Sequence, residues 1–535
     1  MLTLTTMLAR TERLYGARPA IIDVEGQFTW SEFINRIARC GHMLRRRGIN
    51  AGDHFGLISR NSFRQAELMH AGYWTGAIPV PVNYRLAPRE IAAIFEDADC
   101  KVIALEDFFC EFIEDKSLRC FADRALWLPS GDSGATHIDY ESELANAAPI
   151  AMREAREDDD ALLLYTGGTT GRSKGVRLSH RNIIANAFQL AYPIRPHHSD
   201  VYLHIPPMFH SADLLGTTHT MAGGAHAYLA QFTPQAALRC IEQHHATHAM
   251  LTPTMIIMTL QDAALASADL SSFRQLLYGS SPMAAEWIKK ALDGFNGVEI
   301  VQAYGLTESS PILTILPMAD HQAAIDNSDT ARLRSVGRPI PGIEMNIIDD
   351  SGAVLSADQA GEIVVRGANV AVGYLNRPQE TAAAFRDGWL HTGDIGCMDS
   401  EGYLYLLDRK KDMIITGGEN VFSSEVEACL YRHPAVQECA VVGIPDETYG
   451  EALLAVIVPT PDTEVSSKTL ISHCRSHIGG YKIPRRYEFV EELPKSAMNK
   501  VLKNELRRVY STAGNSEATA SVMTSPNNIS PAQKD

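Results

Sequence analysis

Apolar and polar positions alternate with helical and then strand spacing through the first 150 residues. Residues 29–33 (Thr-Trp-Ser-Glu-Phe) begin an amphipathic helix, residues 50–58 lead from a turn into a buried strand, and residues 71–82 lead from a helix end into another strand. This order is typical of α/β layers around a largely parallel sheet. A second such stretch contains strands predicted near 201–205, 249–251, 275–278 and 298–303.

The pattern changes after Ser335. Short apolar runs at 336–342, 361–367 and 402–406 stand between turn residues, which is typical of a β-subdomain. The charged cluster 408–412 (Asp-Arg-Lys-Lys-Asp) then precedes an apolar strand. We place the main domain boundary at this cluster.

The C-terminal part is predicted to be a small α+β domain. Ser424 and Glu427 fit a capping box at the start of a helix that ends before Pro434, and residues 436–444 have the pattern of a strand. Residues from Ser511 onward are rich in Ser, Ala, Thr and Asn without periodicity, which predicts disorder. The predicted fold is therefore α/β. It has a large N-terminal domain of layered α/β subdomains plus a β-subdomain (1–408), a connector (409–412), a small C-terminal domain (413–510) and a tail (511–535).

Composition narrows the range of partners. The chain has 535 residues, enough for about two to four domains. Its formal net charge of −16 argues against nucleic acid or an anionic membrane as the main partner. Nine cysteines without a C-x-x-C pair predict reduced thiols. Because the sequence lacks a signal-peptide pattern, a peroxisomal C-terminus and any apolar run of about 20 residues, we expect a cytoplasmic location and no transmembrane segment.

One string, residues 165–176 (Tyr-Thr-Gly-Gly-Thr-Thr-Gly-Arg-Ser-Lys-Gly-Val), predicts a polyphosphate site. Its glycines let the backbone turn tightly and present N–H groups, its threonines add hydroxyl donors, and Lys174 adds a positive charge. The string is neither a Walker A loop nor a dinucleotide fingerprint, because the lysine and glycine spacings differ. It follows the apolar strand 161–165, and open α/β sheets place ligands at the carboxyl ends of their strands.

Other turns after predicted strands carry compatible chemistry. Residues 304–308 (Tyr-Gly-Leu-Thr-Glu) combine a hydroxyl and a carboxylate, which suit a phosphate and its Mg²⁺. Residues 278–283 could lay backbone against a flat ring, and the aspartate in residues 390–394 suits ribose hydroxyls. Cations follow at 408–409 and 494–500. Taken singly, each of these stretches is also explained as an ordinary turn or helix cap.

Residues 240–248 raise the alternative of a zinc site. Cys240, His244 and His248 would share one face of a helix if that helix continued through them, with Glu242 and His245 close by. A strand is expected to begin at Ala249, however, so the helix must end near here. We therefore interpret the group as a packed cysteine beside a solvated helix end.

Taken together and in this order, the motifs resemble the adenylate-forming superfamily that contains acyl-CoA synthetases, luciferases and the adenylation domains of peptide synthetases. The resemblance runs from about residue 28 to about residue 507. It includes 207–210 (Pro-Met-Phe-His), 253–254 (Pro-Thr), 304–308, 361–367, 392–394 (Thr-Gly-Asp), 408–412, 417–420 (Gly-Gly-Glu-Asn) and Lys500.

The resemblance implies a role for each motif. It implies that the loop holds the β- and γ-phosphates of ATP, that Thr307 contacts the α-phosphate, and that Glu308 binds Mg²⁺. Lys500 would touch both the carboxylate and the α-phosphate, and His210 would separate the acyl pocket from the thiol tunnel. Lys411 would lie in a hinge at 409–412 that lets the C-terminal domain act as a mobile lid. The implied ATP-binding residues are Thr166, Gly167, Gly168, Thr169, Thr170, Gly171, Lys174, Gly279, Ser280, Ser281, Pro282, Tyr304, Thr307, Asp394 and Arg409, and Gly417 and Gly418 would line the CoA path.

Three positions depart from the commonest pattern of the superfamily. Gly167 replaces a usual serine, Ser173 a usual proline and Asn499 a usual glycine. The first change resembles some long-chain fatty acyl-CoA ligases. Asparagine tolerates the left-handed backbone that glycine would adopt. We therefore expect an active enzyme.

The expected reaction joins a carboxylic acid to CoA through an acyl-adenylate, with ATP and CoA as co-substrates and Mg²⁺ as cofactor. His210 stands where amino-acid-activating relatives place an aspartate, and Ala303 gives no arginine for a short dicarboxylate. A neutral acid is therefore expected, with a fatty acid first and an aryl or alicyclic acid second. Small residues at Ser211, Ala212, Gly216 and Ala303 allow a roomy pocket. The alternatives are a luciferase-like oxidoreductase and a carrier-protein acyl-loading enzyme. A homodimer is compatible with all three.

Overall fold

In the computed structural model, helices and strands alternate as far as the β-rich region, and the chain divides into two units. The structure describes residues 2–130, 140–166, 173–281, 283–329, 331–410, 412–417, 419–446, 448–461, 463–495 and 501–511. One unit comprises residues 1–392 and 396–406, and the other comprises 393–395 and 407–535. Ten of the residues discussed above lie outside the described ranges: Gly167, Gly168, Thr169, Thr170, Gly171, Pro282, Lys411, Gly418, Asn499 and Lys500, together with the tail from 512.

The first unit begins with α1 (Leu4–Tyr15) and contains most of the secondary structure. Its other helices are α2 (Trp30–Arg46), α3 (Phe63–Thr75), α4 (Pro88–Asp97), α5 (Glu111–Glu114), α6 (Tyr140–Asn146), α7 (His180–Ile194), α8 (Gly216–Ala222), α9 (Pro234–His244), α10 (Pro253–Gln261), α11 (Ala285–Gly294), α12 (Met318–Asp326) and α13 (Pro378–Ala384). Thr29 caps α2 in a capping box with Glu32, and Ser179 caps α7. The helix predicted to begin at residues 29–33 is confirmed.

The strands of this region form four sheets. They are β1 (Pro19–Ile22), β2 (Gln27–Thr29), β3 (His54–Ile58), β4 (Ile78–Pro81), β5 (Val102–Glu106), β6 (Leu126–Leu128), β7 (Asp160–Thr166), β8 (Lys174–Ser179), β9 (Val201–His204), β10 (Ala225–Tyr228), β11 (His248–Leu251), β12 (Gln275–Gly279), β13 (Glu299–Tyr304), β14 (Thr314–Leu316), β15 (Arg338–Pro339), β16 (Ile343–Ile348), β17 (Gly361–Gly367), β18 (Gly373–Tyr374), β19 (Phe385–Arg386), β20 (Trp389–Met398) and β21 (Leu404–Arg409).

Parallel pairing dominates the two largest α/β layers. The nine-stranded sheet has the order β15-β14-β13-β12-β11-β9-β10-β1-β2, and the strands from β13 to β1 are parallel. The four-stranded sheet β4-β3-β5-β6 is entirely parallel. Strands β16, β17, β20, β19 and β21 form the β-rich sheet. The α/β fold with a β-subdomain is thus confirmed, except that β15 belongs to the nine-stranded sheet.

A buried ionic network joins three helices of the first unit. The Arg36 guanidinium of α2 donates to both carboxylate oxygens of Glu67 on α3, at 2.6 and 3.2 Å, and also to Glu141 on α6. The Tyr140 hydroxyl donates to Glu67 at 2.8 Å. Glu67 is completely buried, so its charge depends on these partners rather than on water.

The second unit is a small α+β domain, as predicted. It contains β22 (Ile414–Thr416), β23 (Glu419–Val421), β24 (Val436–Asp446), β25 (Gly450–Pro459) and β26 (Arg486–Phe489), with α14 (Ser423–Leu430), α15 (Ser467–Arg475) and α16 (Lys503–Ser511). The capping box at Ser424 is wrong: α14 begins at Ser423, and Glu427 instead accepts from the Val441 N–H and pairs with Lys503. None of the helices in the described part of the chain combines the length and the apolar character that a membrane span requires.

Candidate active site

The two strands that flank the predicted phosphate loop form an antiparallel hairpin. Strands β7 and β8 pair along their length, and Thr166 lies opposite Lys174 at the point where the described part of the loop ends. Buried Leu164 and Val176 hold the hairpin in the core. The loop does begin at the carboxyl end of a strand, as predicted, but β7 belongs to an antiparallel sheet and not to a parallel one, because β8 turns back beside it.

Lys174 is held by two residues that the sequence did not indicate. Its ammonium pairs with Glu380 of α13 and lies 5.2 Å from the centre of the Tyr374 ring. Strand β18 brings Tyr374 here by pairing with β8, so that Tyr374 lies opposite Val176. The lysine side chain keeps about a fifth of its surface exposed, which leaves its charge accessible to an anion.

Tyr374 also connects the hairpin to the 304–308 motif. Its hydroxyl donates to Glu308 Oε1 at 2.9 Å. Burial, and then the charge of Glu308, raises the pKa of Tyr374 well above its ordinary value, so the hydroxyl stays a donor at neutral pH. Glu308 stands in a 3₁₀ turn (Thr307–Ser309) directly after β13. Only the Gly-Tyr pair at 373–374 marks this contact in the sequence, and it is too short to signal a role.

Thr307 connects the residues predicted to bind phosphate with those predicted to border the acyl pocket. Its hydroxyl lies 3.3 Å from that of Ser211, the first residue of a 3₁₀ helix (Ser211–Leu215). His210 immediately precedes that helix, and its ring centre lies 4.4 Å from that of Phe209. Lys174, Tyr374, Glu308, Thr307 and Ser211 therefore form one continuous line, joined by side-chain contacts except between Glu308 and Thr307, which are neighbours in the chain.

The segment predicted to border adenine lies where β12 and β13 end side by side. Gly279 pairs with Ala303, and a β-carbon at Gly279 would lie 2.1 Å from the Ala303 carbonyl oxygen. Ser280 then adopts a left-handed φ of 73°, which turns the chain sharply ahead of Ser281. Tyr304 is buried at the end of β13. The close approach explains why glycine is required at 279.

Two of the remaining predicted residues form a pair within the second unit. The Arg409 guanidinium contacts Asp394 Oδ1 at 3.1 Å, and Asp394 is buried whereas half of the arginine side chain is exposed. Gly417 has a left-handed φ of 59°, and its N–H donates to the Tyr449 carbonyl at 2.8 Å. The arginine thus fixes the orientation of the aspartate predicted to bind ribose.

Gly216 does not open the acyl pocket, contrary to the sequence-based expectation. A β-carbon there would lie 2.7 Å from the His204 ring, so the imidazole already fills that space. His204 Nδ1 donates to the Asp213 carboxylate at 2.6 Å, and its Nε2 lies 3.0 Å from His226 Nδ1. The cavity around this group measures about 40 Å³, room for a few waters but not for an acyl chain. Ala212 and Ala303, by contrast, share one apolar cluster.

The residues considered as a zinc site do not share a helix face. Helix α9 ends at His244, His245 adopts a left-handed φ of 50°, and His248 begins β11. Burial raises the pKa of the Cys240 thiol and lowers that of His244. The interpretation as a packed cysteine beside a helix end is supported, although His244 itself is buried.

Two known protein-family models match separate N-terminal and C-terminal parts of the chain. Residues 8–375 match the model of the AMP-binding enzyme family, and residues 425–500 match that of the AMP-binding enzyme C-terminal domain. The first match alone covers more than half of the 535 residues.

Three relatives illustrate the similarity. A feruloyl-CoA synthase of an Amycolatopsis species is 34% identical over 90% of this chain and 94% of its own length. A long-chain-fatty-acid–CoA ligase of Bacillus subtilis is 32% identical over 94% of both chains. The solved o-succinylbenzoate CoA synthetase of Bacillus subtilis, in complex with its acyl-adenylate intermediate, has a TM-score of 0.81 at 28% identity and covers 94% of this chain and 97% of its own.

Proposed function

We infer the reaction from one premise: this chain belongs to the AMP-binding enzyme family, within the adenylate-forming superfamily. It is an AMP-forming acid–CoA ligase that uses ATP. We propose that it activates a neutral carboxylic acid with an extended apolar group. The observation that carries this proposal is the line of contacts from Lys174 through Glu308 and Thr307 to Ser211, which ends beside the apolar cluster containing Ala212.

Two acid classes fit this site. A fatty acid is the first candidate, supported by similarity to a long-chain-fatty-acid–CoA ligase. An aryl acid is the second, supported by similarity to a feruloyl-CoA synthase of slightly higher identity. Either acid would place its carboxylate near Thr307 and its apolar body against the cluster with Ala303. In neither case is a charged partner required at the far end of the acid.

The proposed mechanism begins with positioning. A carboxylate is a weak nucleophile, so the site must hold it in line with the α-phosphorus of ATP. Lys174 and the backbone of its loop would bind the departing pyrophosphate, and the Thr307 hydroxyl would donate to the α-phosphate. Lys500 would stabilise the negative charge that develops on that phosphate. The carboxylate oxygen bonds to phosphorus and pyrophosphate leaves; CoA thiolate then attacks the acyl carbon and AMP leaves.

Glu308 is the residue proposed to hold Mg²⁺. The Tyr374 hydroxyl orients one of its carboxylate oxygens by a hydrogen bond. Mg²⁺ is commonly bound by one or two carboxylates together with phosphate oxygens, so an oriented Glu308 suits this ion. When bound, the ion would neutralise phosphate charge. Asp394, oriented by Arg409, is proposed to accept hydrogen bonds from the ribose hydroxyls.

The proposed function is tested with a panel of acids, from acetate to long fatty acids and aryl acids. Acid-dependent exchange of pyrophosphate into ATP measures the first half-reaction, and AMP release with CoA present measures the whole. We expect exchange with fatty or aryl acids and a further CoA-dependent release of AMP. If no acid supports exchange, the ligase and both alternatives fail. If exchange occurs without use of CoA, a carrier-protein loading enzyme is favoured, and oxygen consumption would favour a luciferase-like enzyme.

Substituting Tyr374→Phe tests the proposed Mg²⁺ site. We expect the Mg²⁺ concentration for half-maximal exchange to rise about tenfold, because the variant loses the hydrogen bond that orients Glu308. The measurement is the exchange rate as a function of Mg²⁺ at saturating acid. Tyr192→Phe is a control, because that ring is 80% exposed. An unchanged Mg²⁺ dependence in Tyr374→Phe would contradict the role of Glu308.

A further inference from the structure

A cysteine and two histidines meet at the packing of α14 against α15 in the second unit. Cys429 belongs to α14, His473 to α15, and His477 follows just beyond the end of α15. One possible ligand atom from each residue lies within 4.8 Å of the other two. Cys429 is buried, His473 is half-buried and His477 is exposed, so an ion could reach the group from solvent.

Each histidine of the group donates one ring N–H to a backbone carbonyl. His473 Nε2 lies 2.9 Å from the Cys429 carbonyl oxygen, and His477 Nδ1 lies 2.7 Å from the His473 carbonyl oxygen. A carbonyl can only accept, so these nitrogens carry the protons and the opposite ring nitrogens carry lone pairs. Metal-binding histidines commonly donate their second N–H to a backbone carbonyl in this way.

We propose that Cys429, His473 and His477 bind one Zn²⁺ ion. A thiolate with two neutral imidazoles is a ligand set that zinc favours, and a water molecule would complete a tetrahedral site. Zn–S and Zn–N bonds of about 2.3 and 2.0–2.1 Å require the three side chains to close slightly around the ion. On binding, the Cys429 thiol releases its proton to solvent and the sulfur lone pair forms the bond to zinc.

His433 is a neighbour of this group but not a ligand. Its ring centre lies 5.2 Å from that of His473, yet its Nδ1 accepts from the Ala435 N–H at 3.3 Å, so its proton is on Nε2. His433 would have to lose its hydrogen bond from the Ala435 N–H before its Nδ1 could coordinate an ion. This makes His433→Gln an informative control, because it alters the surroundings without removing a ligand.

A second group of possible ligands, Asp200, His219 and His248, is less suited. All three are buried, Asp200 already pairs with Arg274, and His248 Nδ1 lies 2.8 Å from the Thr247 hydroxyl. Binding there would break existing contacts in the core. The experiment must nevertheless distinguish the two groups, and sulfur coordination does so, because the second group contains no cysteine.

The test is Co²⁺ titration of the full chain after removal of metals with a chelator. We expect one equivalent of Co²⁺ to produce a near-ultraviolet thiolate-to-cobalt charge-transfer band that Zn²⁺ abolishes by competition. Cys429→Ser should lose the band, and His477→Gln should weaken Co²⁺ binding at least tenfold. Because His477 is exposed, its substitution keeps the test valid even if Cys429→Ser fails to fold.

Cys120→Ser and His433→Gln should retain the band, since Cys120 is an exposed thiol outside the group. Absence of the band in the unaltered chain would overturn the proposal. So would a band that persists in Cys429→Ser, or Co²⁺ binding by His477→Gln equal to that of the unaltered chain. The acid-dependent exchange reaction is measured in parallel, so that failure of the zinc site and failure of the proposed ligase activity are separate results.

Discussion

Replacing Lys500 by alanine is expected to lower the rate of acyl-adenylate formation by at least about 100-fold, while thioester formation from supplied acyl-adenylate and CoA continues. The reason is that negative charge develops on the α-phosphate only in the first half-reaction, and loss of one well-placed donor to such a charge costs about 10²–10³ in rate. The resemblance to the superfamily assigns Lys500 to that position. Pyrophosphate exchange measures the first step, and release of AMP from the supplied adenylate measures the second.

The chain offers a matched control for this substitution. Lys495 lies five residues earlier, and its ammonium pairs with Glu438 at 2.7 Å. Lys495→Ala removes the same charge from the same segment and should leave both half-reactions within about twofold, because partly exposed ion pairs contribute little. Equal loss of both half-reactions in Lys500→Ala would show that the lysine supports the structure or both steps, and not adenylation alone.

The largest effect on stability is expected from Glu67→Gln. The substitution leaves the Arg36 guanidinium with Glu141 as its remaining carboxylate partner in a buried setting. Breaking a buried ion pair by removing one partner costs about 3–5 kcal/mol, and we expect about 3 kcal/mol here because Glu141 remains. Urea unfolding followed by circular dichroism should show the first unit unfolding at a lower urea concentration.

Glu344→Gln serves as the control for this loss. Glu344 also pairs with an arginine, Arg366, but both side chains are about half exposed or more. Its substitution should change the free energy of unfolding by less than about 1 kcal/mol. A double variant, Arg36→Met with Glu67→Leu, should recover part of the lost stability, because apolar residues can replace a buried pair. Equal effects of Glu67→Gln and Glu344→Gln would refute the role of burial.

Local sequence signals predicted the elements that depend on neighbouring residues. The helix beginning at residues 29–33 and the strands β9, β11, β12 and β13 follow from apolar spacing and short-range hydrogen bonds. The Ser424 capping box failed because the Ser423 and Ser424 hydroxyls hydrogen-bond to Asp408 and to the Leu407 carbonyl, contacts that a local pattern does not contain.

The sequence predicted which motifs form the site, but not how their side chains contact one another. Lys174 and Glu308 are separated by more than 130 residues, and Tyr374 joins them from a third segment through a two-residue strand. Pairing of that strand depends on tertiary structure, so no local spacing reveals it. Similarly, the filling of the space beside Gly216 by His204 depends on how α8 packs over β9.

The nine-stranded sheet also sets an order of events during synthesis. Ile21 of β1 pairs with His226 of β10, about 200 residues later in the chain. At about 5–20 residues per second, the ribosome needs about 10–40 s to make the intervening segment. During that interval the first hairpin, β1 with β2, has no neighbouring strand, and closing so long a loop has an entropic cost that later contacts must offset. Nascent chains shorter than about 230 residues should therefore need protection of this edge from other chains.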